Sequence, residues 1–180
     1  ATVVSFGLSS AAAIYLGKTI GEKKTEYAKA YAKRFLILSI IMGILGGTVI
    51  LAVSPLASAA LTLSGTAKEY LRIMFFVMSY FVVGQAINTT LVVGVFRSGG
   101  DTLTGMFLDL GSLWLVSIPL TLIAARVLHL PFLGVVMTAY LGEDIPKSIF
   151  CMRHFLSMRW LKPVTEEGRE GLRLYREEQK

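Results

Sequence analysis

The feature that most constrains this chain is a succession of apolar stretches, each about twenty residues or longer, separated by short polar segments. A hydrocarbon core of about 30 Å is crossed by roughly 20 helical residues. Backbone in lipid must satisfy its own hydrogen bonds, which leaves helices or closed barrels. Five segments have the required length, at about 2–20, 35–60, 73–96, 103–125 and 131–155. The first is rich in small residues (Ser9, Ser10, Ala11, Ala12, Ala13), which let helix backbones approach closely. The second holds Gly43, Gly46 and Gly47 in its middle and Pro55 near its end. The fifth is the least apolar, its second half interrupted by Gly142, Glu143, Asp144, Pro146 and Lys147. The expectation is an all-α integral membrane protein, with a transmembrane domain over 1–155 and a polar tail over 156–180. The end of that tail, EEGREGLRLYREEQK, reads as solvated, either a short surface helix or disordered.

Composition supports this. Apolar residues make up 54% of the 180 and charged residues 17%, below the roughly 25% of soluble domains. The net charge of +6 would suit nucleic acid, but its distribution does not. Basic residues crowd into 18–34 and 147–180, with only Lys68, Arg72, Arg97 and Arg126 between. That is the loop-and-tail pattern expected beside an anionic cytoplasmic leaflet. Placing the 21–34 loop in the cytoplasm and alternating sides leaves Lys68, Arg72 and Arg126 outside and the other fifteen Lys and Arg inside. The predicted topology is N-terminus out and C-terminus in, with the lipid bilayer as partner and no nucleic acid.

Cys151 is the sole cysteine, so no intramolecular disulfide is expected. Positive charge follows the first apolar run, whereas a signal peptide carries it before. With Ala1 inside an apolar segment, the sequence reads as part of a longer protein. Neither His129 nor His154 has a ligand partner at helical spacing, so no metal site or cofactor is expected. There is no G-x-S-x-G and no G-x-x-x-x-G-K-[ST], so nothing points to an enzyme.

Several residues need a physical account. Gln85, Asn88, Thr89 and Thr90 put polar groups near mid-membrane, where they bond between helices or line a wet cavity. Asp109 lies about 10 Å inward from Asp101 at 1.5 Å per residue. A carboxylate at that depth is functional by default, or else paired, with Lys147 the candidate partner. Glu143, Asp144 and Lys147 have i, i+3/i+4 spacing and read as a self-paired turn near the cytoplasmic interface, with a proton relay as the alternative. In the turn Arg97–Thr102, Gly99 and Gly100 permit positive φ, Asp101 suits an N-cap and Arg97 complements a helix C-terminus. This turn is either structural or a conformational latch.

The segment GVFRSGGDTLTGMFLDLGSLWLVSIPLTL, the loop GKTIGEKKTEYAKAYAKR and the closing RHFLSMRWLKPVT resemble the multidrug and toxic compound extrusion (MATE) family. Within them, R-x-G-G-D-T is followed by a helix bearing Asp109, Trp114 and Pro119. The resemblance implies twelve helices in two six-helix lobes, of which this chain supplies the last five. It implies a multi-pass antiporter of the plasma or inner membrane, driven by Na⁺ or H⁺ and exporting small organic, often cationic, compounds by alternating access. Its partner would be the N-terminal lobe of the same chain. Some cation-coupled relatives carry an acidic residue in the third span, whereas Phe75–Phe96 has none, which shifts the expected coupling carboxylate to the other lobe. The alternatives are a lipid-linked sugar flippase of the same superfamily and a membrane scaffold subunit with no transport cycle.

Overall fold

The computed structural model describes residues 2–61 and 64–178 and is helical almost throughout. Its helices are α1 (Thr2–Gly21), α2 (Thr25–Ala60), α3 (Gly65–Phe96), α4 (Thr102–Arg126), α5 (Phe132–Leu156) and α6 (Glu166–Glu178). The last two turns of α3, Thr90–Phe96, are π-helical, as is Ser112–Ser117 within α4. Such widened turns realign a helix face against its neighbours.

Helices α1 to α4 are long and apolar enough to cross a membrane. Helix α5 has the length, about 37 Å over 25 residues, but carries Glu143, Asp144, Lys147 and Arg153. The span read from sequence over about 131–155 is observed as one helix running through Pro146 to Leu156, but its charges keep it below the apolarity of the other four. It tolerates its charges because two of them face neighbouring helices, where they find partners. Helices α2 and α3 also begin well before their apolar stretches, at Thr25 and Gly65, so most of the basic loop forms the opening turns of α2.

Small residues set the packing. Between lipid-solvated helices close van der Waals contact replaces the hydrophobic effect as the source of affinity. A Cβ on Gly47 would lie 2.8 Å from the Ser79 carbonyl oxygen, and one on Gly43 would lie 3.0 Å from Val83 Cα. The Ser79 hydroxyl donates to the Gly47 carbonyl at 3.0 Å, tying α3 to α2 at the point of closest approach. Gly94 similarly admits Ser9 and Ala12 of α1. The apolar core, including Leu16, Leu36, Leu91, Phe96, Phe155 and Trp160, gathers toward the basic end of the bundle.

The tail is ordered there. Trp160 is fully buried, its indole N–H donates to the Phe155 carbonyl at 3.2 Å, and the two rings stack. Helix α6 lies against α1 and the start of α2, held by the Lys23–Glu170 ion pair and by close approach of Gly171 to the Lys23 backbone. Of the two readings offered for the tail, the helix is the one observed.

Candidate functional site: buried carboxylates between helices

Polar groups of α3, α4 and α5 meet inside the bundle. Asn88 is 1% exposed and Asp144 is 4% exposed. The Asn88 amide Nδ2 donates to Asp144 Oδ1 at 2.9 Å and to the Ser148 hydroxyl at 3.0 Å. Asp144 is the thirteenth residue of α5, about 18 Å from its start. That is the middle of the helix. Gly84 makes the site possible: a Cβ there would collide with both carboxylate oxygens. The hydrogen bond from Asn88 is the bond Asp144 receives among the described residues, and a single amide donor stabilises a buried carboxylate far less than a countercharge would.

Lys147, one turn further on, reaches away from this carboxylate. Its Nζ lies 2.6 Å from Asp109 Oδ1 on α4, with the lysine side chain 11% exposed and the aspartate 43%. The Asp109–Lys147 pairing considered from sequence therefore forms. The self-paired turn does not: Lys147 crosses to α4, and Asp144 turns to α3.

The structure divides the other sequence candidates. Thr90 faces α1, its hydroxyl 3.4 Å from that of Ser9. Thr89 is buried and Gln85 half-buried, and neither hydroxyl nor amide joins the Asp144 group. The contact between Asp144 and Asn88 is one that spacing along either helix does not reveal. The i, i+4 relation of Asp144 to Ser148 and the small Gly84 one turn before Asn88 are the signals that could have pointed to the group.

A second cluster closes the basic end. The hairpin between α3 and α4 turns at Gly100 (φ +92°), whereas Gly99 does not take positive φ. Gly99 is glycine for space instead, since Trp160 occupies the volume a side chain would need. Asp101 also departs from expectation. It stands at the N-cap position of α4 but makes no bond from its carboxylate to the helix amides. Only 3% exposed, it accepts hydrogen bonds from His154 Nε2 (2.7 Å), Lys162 Nζ (2.9 Å) and Thr104 Oγ1 (2.8 Å). Burial alone would raise its carboxyl; the bonds from Lys162, Thr104 and His154 outweigh that and hold it below the ordinary carboxylate range. The Lys162 amide donates to the Gly99 carbonyl at 2.7 Å, completing the clasp. The hairpin is thus latched to this chain's own C-terminal segment. Arg97 has an exposed side chain at the end of α3.

Long apolar helices that close on one another at glycines, with the Asp144 carboxylate buried between two of them, have the build of a polytopic membrane protein. Residues 1–123, about two thirds of the chain, match the MatE family, and the chain belongs to that family of membrane transporters. It is also similar to Protein DETOXIFICATION 15 of Arabidopsis thaliana, with 27% identity over 129 residues, covering 71% of this chain and 26% of that protein. The chain thus spans about a quarter of the length of the curated relative it matches. No solved structure matches.

Proposed function

We propose that this chain forms most of one lobe of a cation-coupled antiporter that exports small organic, often cationic, compounds by alternating access. In this reading the basic end faces the cytoplasm and the protein resides in the plasma or inner membrane. The other lobe, from the same full-length chain, completes the substrate cavity, as is usual where transporters bind ligands at a repeat interface near the bilayer midplane. The observation that carries the proposal is the buried Asp144–Asn88–Ser148 group. A mid-membrane carboxylate without a bonded cationic side chain, flanked by an amide and a hydroxyl, suits reversible binding of Na⁺ or H⁺. On this reading a coupling carboxylate belongs to α5, whereas the sequence alone points to the other lobe.

The sign and range of the activity are testable in cells expressing the full-length protein. Accumulation of ethidium should fall relative to an empty-vector control, and Asp144→Asn at equal membrane abundance should restore it. Equal accumulation with wild-type protein and empty vector would refute multidrug export.

A further inference from the structure

At the basic end the opening turns of α2 and the closing turns of α5 stand apart, leaving a groove of about 590 Å³ capped by Tyr175 of α6. That volume falls within the roughly 300–1,000 Å³ typical of small-molecule sites. We propose that the groove is a binding site for one anionic phospholipid of the adjacent leaflet, a role separate from the transport pathway.

Polarity within the groove is graded. Lys29, Lys33 and the Tyr175 hydroxyl stand at its mouth, with Glu26 the one acid among the described lining residues. Below them the walls are apolar, formed by Leu36, Ile37 and Ile40 of α2 and by Met152 and Leu156 of α5. Ile37 is 48% exposed and Leu156 70% exposed, so both offer surface to an acyl chain. From Lys29 to Ile40 the helix rises about 16 Å, close to half of a 30 Å hydrocarbon core. The groove therefore has the depth of one leaflet.

The mouth has the chemistry of a phosphate receptor. Lys29 Nζ donates to the Tyr175 hydroxyl oxygen at 3.2 Å. Among the described residues, that leaves the phenol proton and the remaining ammonium protons to donate to a ligand. Lys33, one turn deeper on the same face, adds a second point charge. Against the single carboxylate of Glu26 the mouth keeps a net positive charge, so it attracts a phosphodiester and repels the cationic moiety of a zwitterionic headgroup. Basic pockets between transmembrane helices recognise anionic headgroups by this balance.

Native mass spectrometry of the full-length protein, purified in detergent with phosphatidylglycerol or phosphatidylcholine, tests the proposal. Wild type should retain phosphatidylglycerol at least about tenfold over phosphatidylcholine, a difference of about 1.4 kcal/mol. Lys29→Gln with Lys33→Gln should abolish that preference, while Lys18→Gln with Lys24→Gln should leave it intact. Ile40→Trp, which fills the apolar part and keeps both lysines, should reduce retention of both lipids. Equal retention of the two lipids by wild type would overturn the proposal. So would an unchanged preference in the Lys29/Lys33 variant, or photo-cross-linking from position 40 that captures protein in place of lipid.

Discussion

Replacing Asp101 by Asn should open the hairpin clasp without disturbing the bundle. The carboxylate accepts from His154, Lys162 and Thr104 in a nearly water-free setting. Hydrogen bonds to a charged group contribute about 1.5–3 kcal/mol each. The Lys162 side chain is 56% exposed, so its bond is screened to roughly 0.2–1 kcal/mol. Asn keeps an acceptor for Thr104, and its amide faces His154 where the carboxylate accepted. The expected loss is about 2–3 kcal/mol, or a roughly 30- to 150-fold larger open population and correspondingly faster exchange at about 1.4 kcal/mol per decade. Hydrogen exchange read by mass spectrometry on peptides covering 97–104 and 158–164 would report it, with α2 and α3 peptides as unchanged controls. The pH dependence has a definite sign. The Asp101 carboxyl is depressed in the folded state, so its contribution is present above its unfolded value of about 3.9 and is lost as pH falls through the folded value. The gap between wild type and variant should therefore close in strong acid. Exchange in the hairpin within threefold of wild type near neutral pH would refute the assignment of Asp101 as the clasp.

Gly47→Leu should separate α2 from α3, because its first side-chain atom already meets the Ser79 carbonyl. A cost of about 1–3 kcal/mol is expected for forced overpacking, read as a lower melting temperature in detergent; an unchanged melt would count against the contact. Asp109→Ala leaves Lys147 without its partner and should destabilise by about 1–2 kcal/mol, less than a fully buried pair because the carboxylate is 43% exposed. Adding Lys147→Met should recover much of that loss, and strictly additive effects in the double-mutant cycle would show that the two residues do not interact.

How much of this was legible in sequence depends on the kind of signal. Apolar length marked the helices, since lipid admits little else, and the glycines of α2 marked its close approach to α3. The polar contacts were harder because they join residues far apart in the chain. Spacing along α5 suggested that Glu143, Asp144 and Lys147 served one another, yet the 100° turn per residue sends Asp144 to α3 and Lys147 to α4. Pro146 and the neighbouring charges make this the least apolar span in the sequence, and a helix supported on both sides can keep them. Asp101 looked like a helix cap by its position; its true partners, His154 and Lys162, lie more than fifty residues downstream and become neighbours only when α5 docks beside the hairpin.

The coupling role proposed for Asp144 is the central claim, and ion-jump transport in proteoliposomes containing the full-length protein tests it most directly. Wild type should accelerate uptake of a fluorescent organic cation when an opposing Na⁺ or H⁺ gradient is imposed. Asp144→Asn should retain substrate binding and lose that acceleration for the coupling ion. An Asp144→Asn protein whose transport still responds to the gradient as wild type does would contradict the claim and leave Asp144 as a structural tie between α3 and α5.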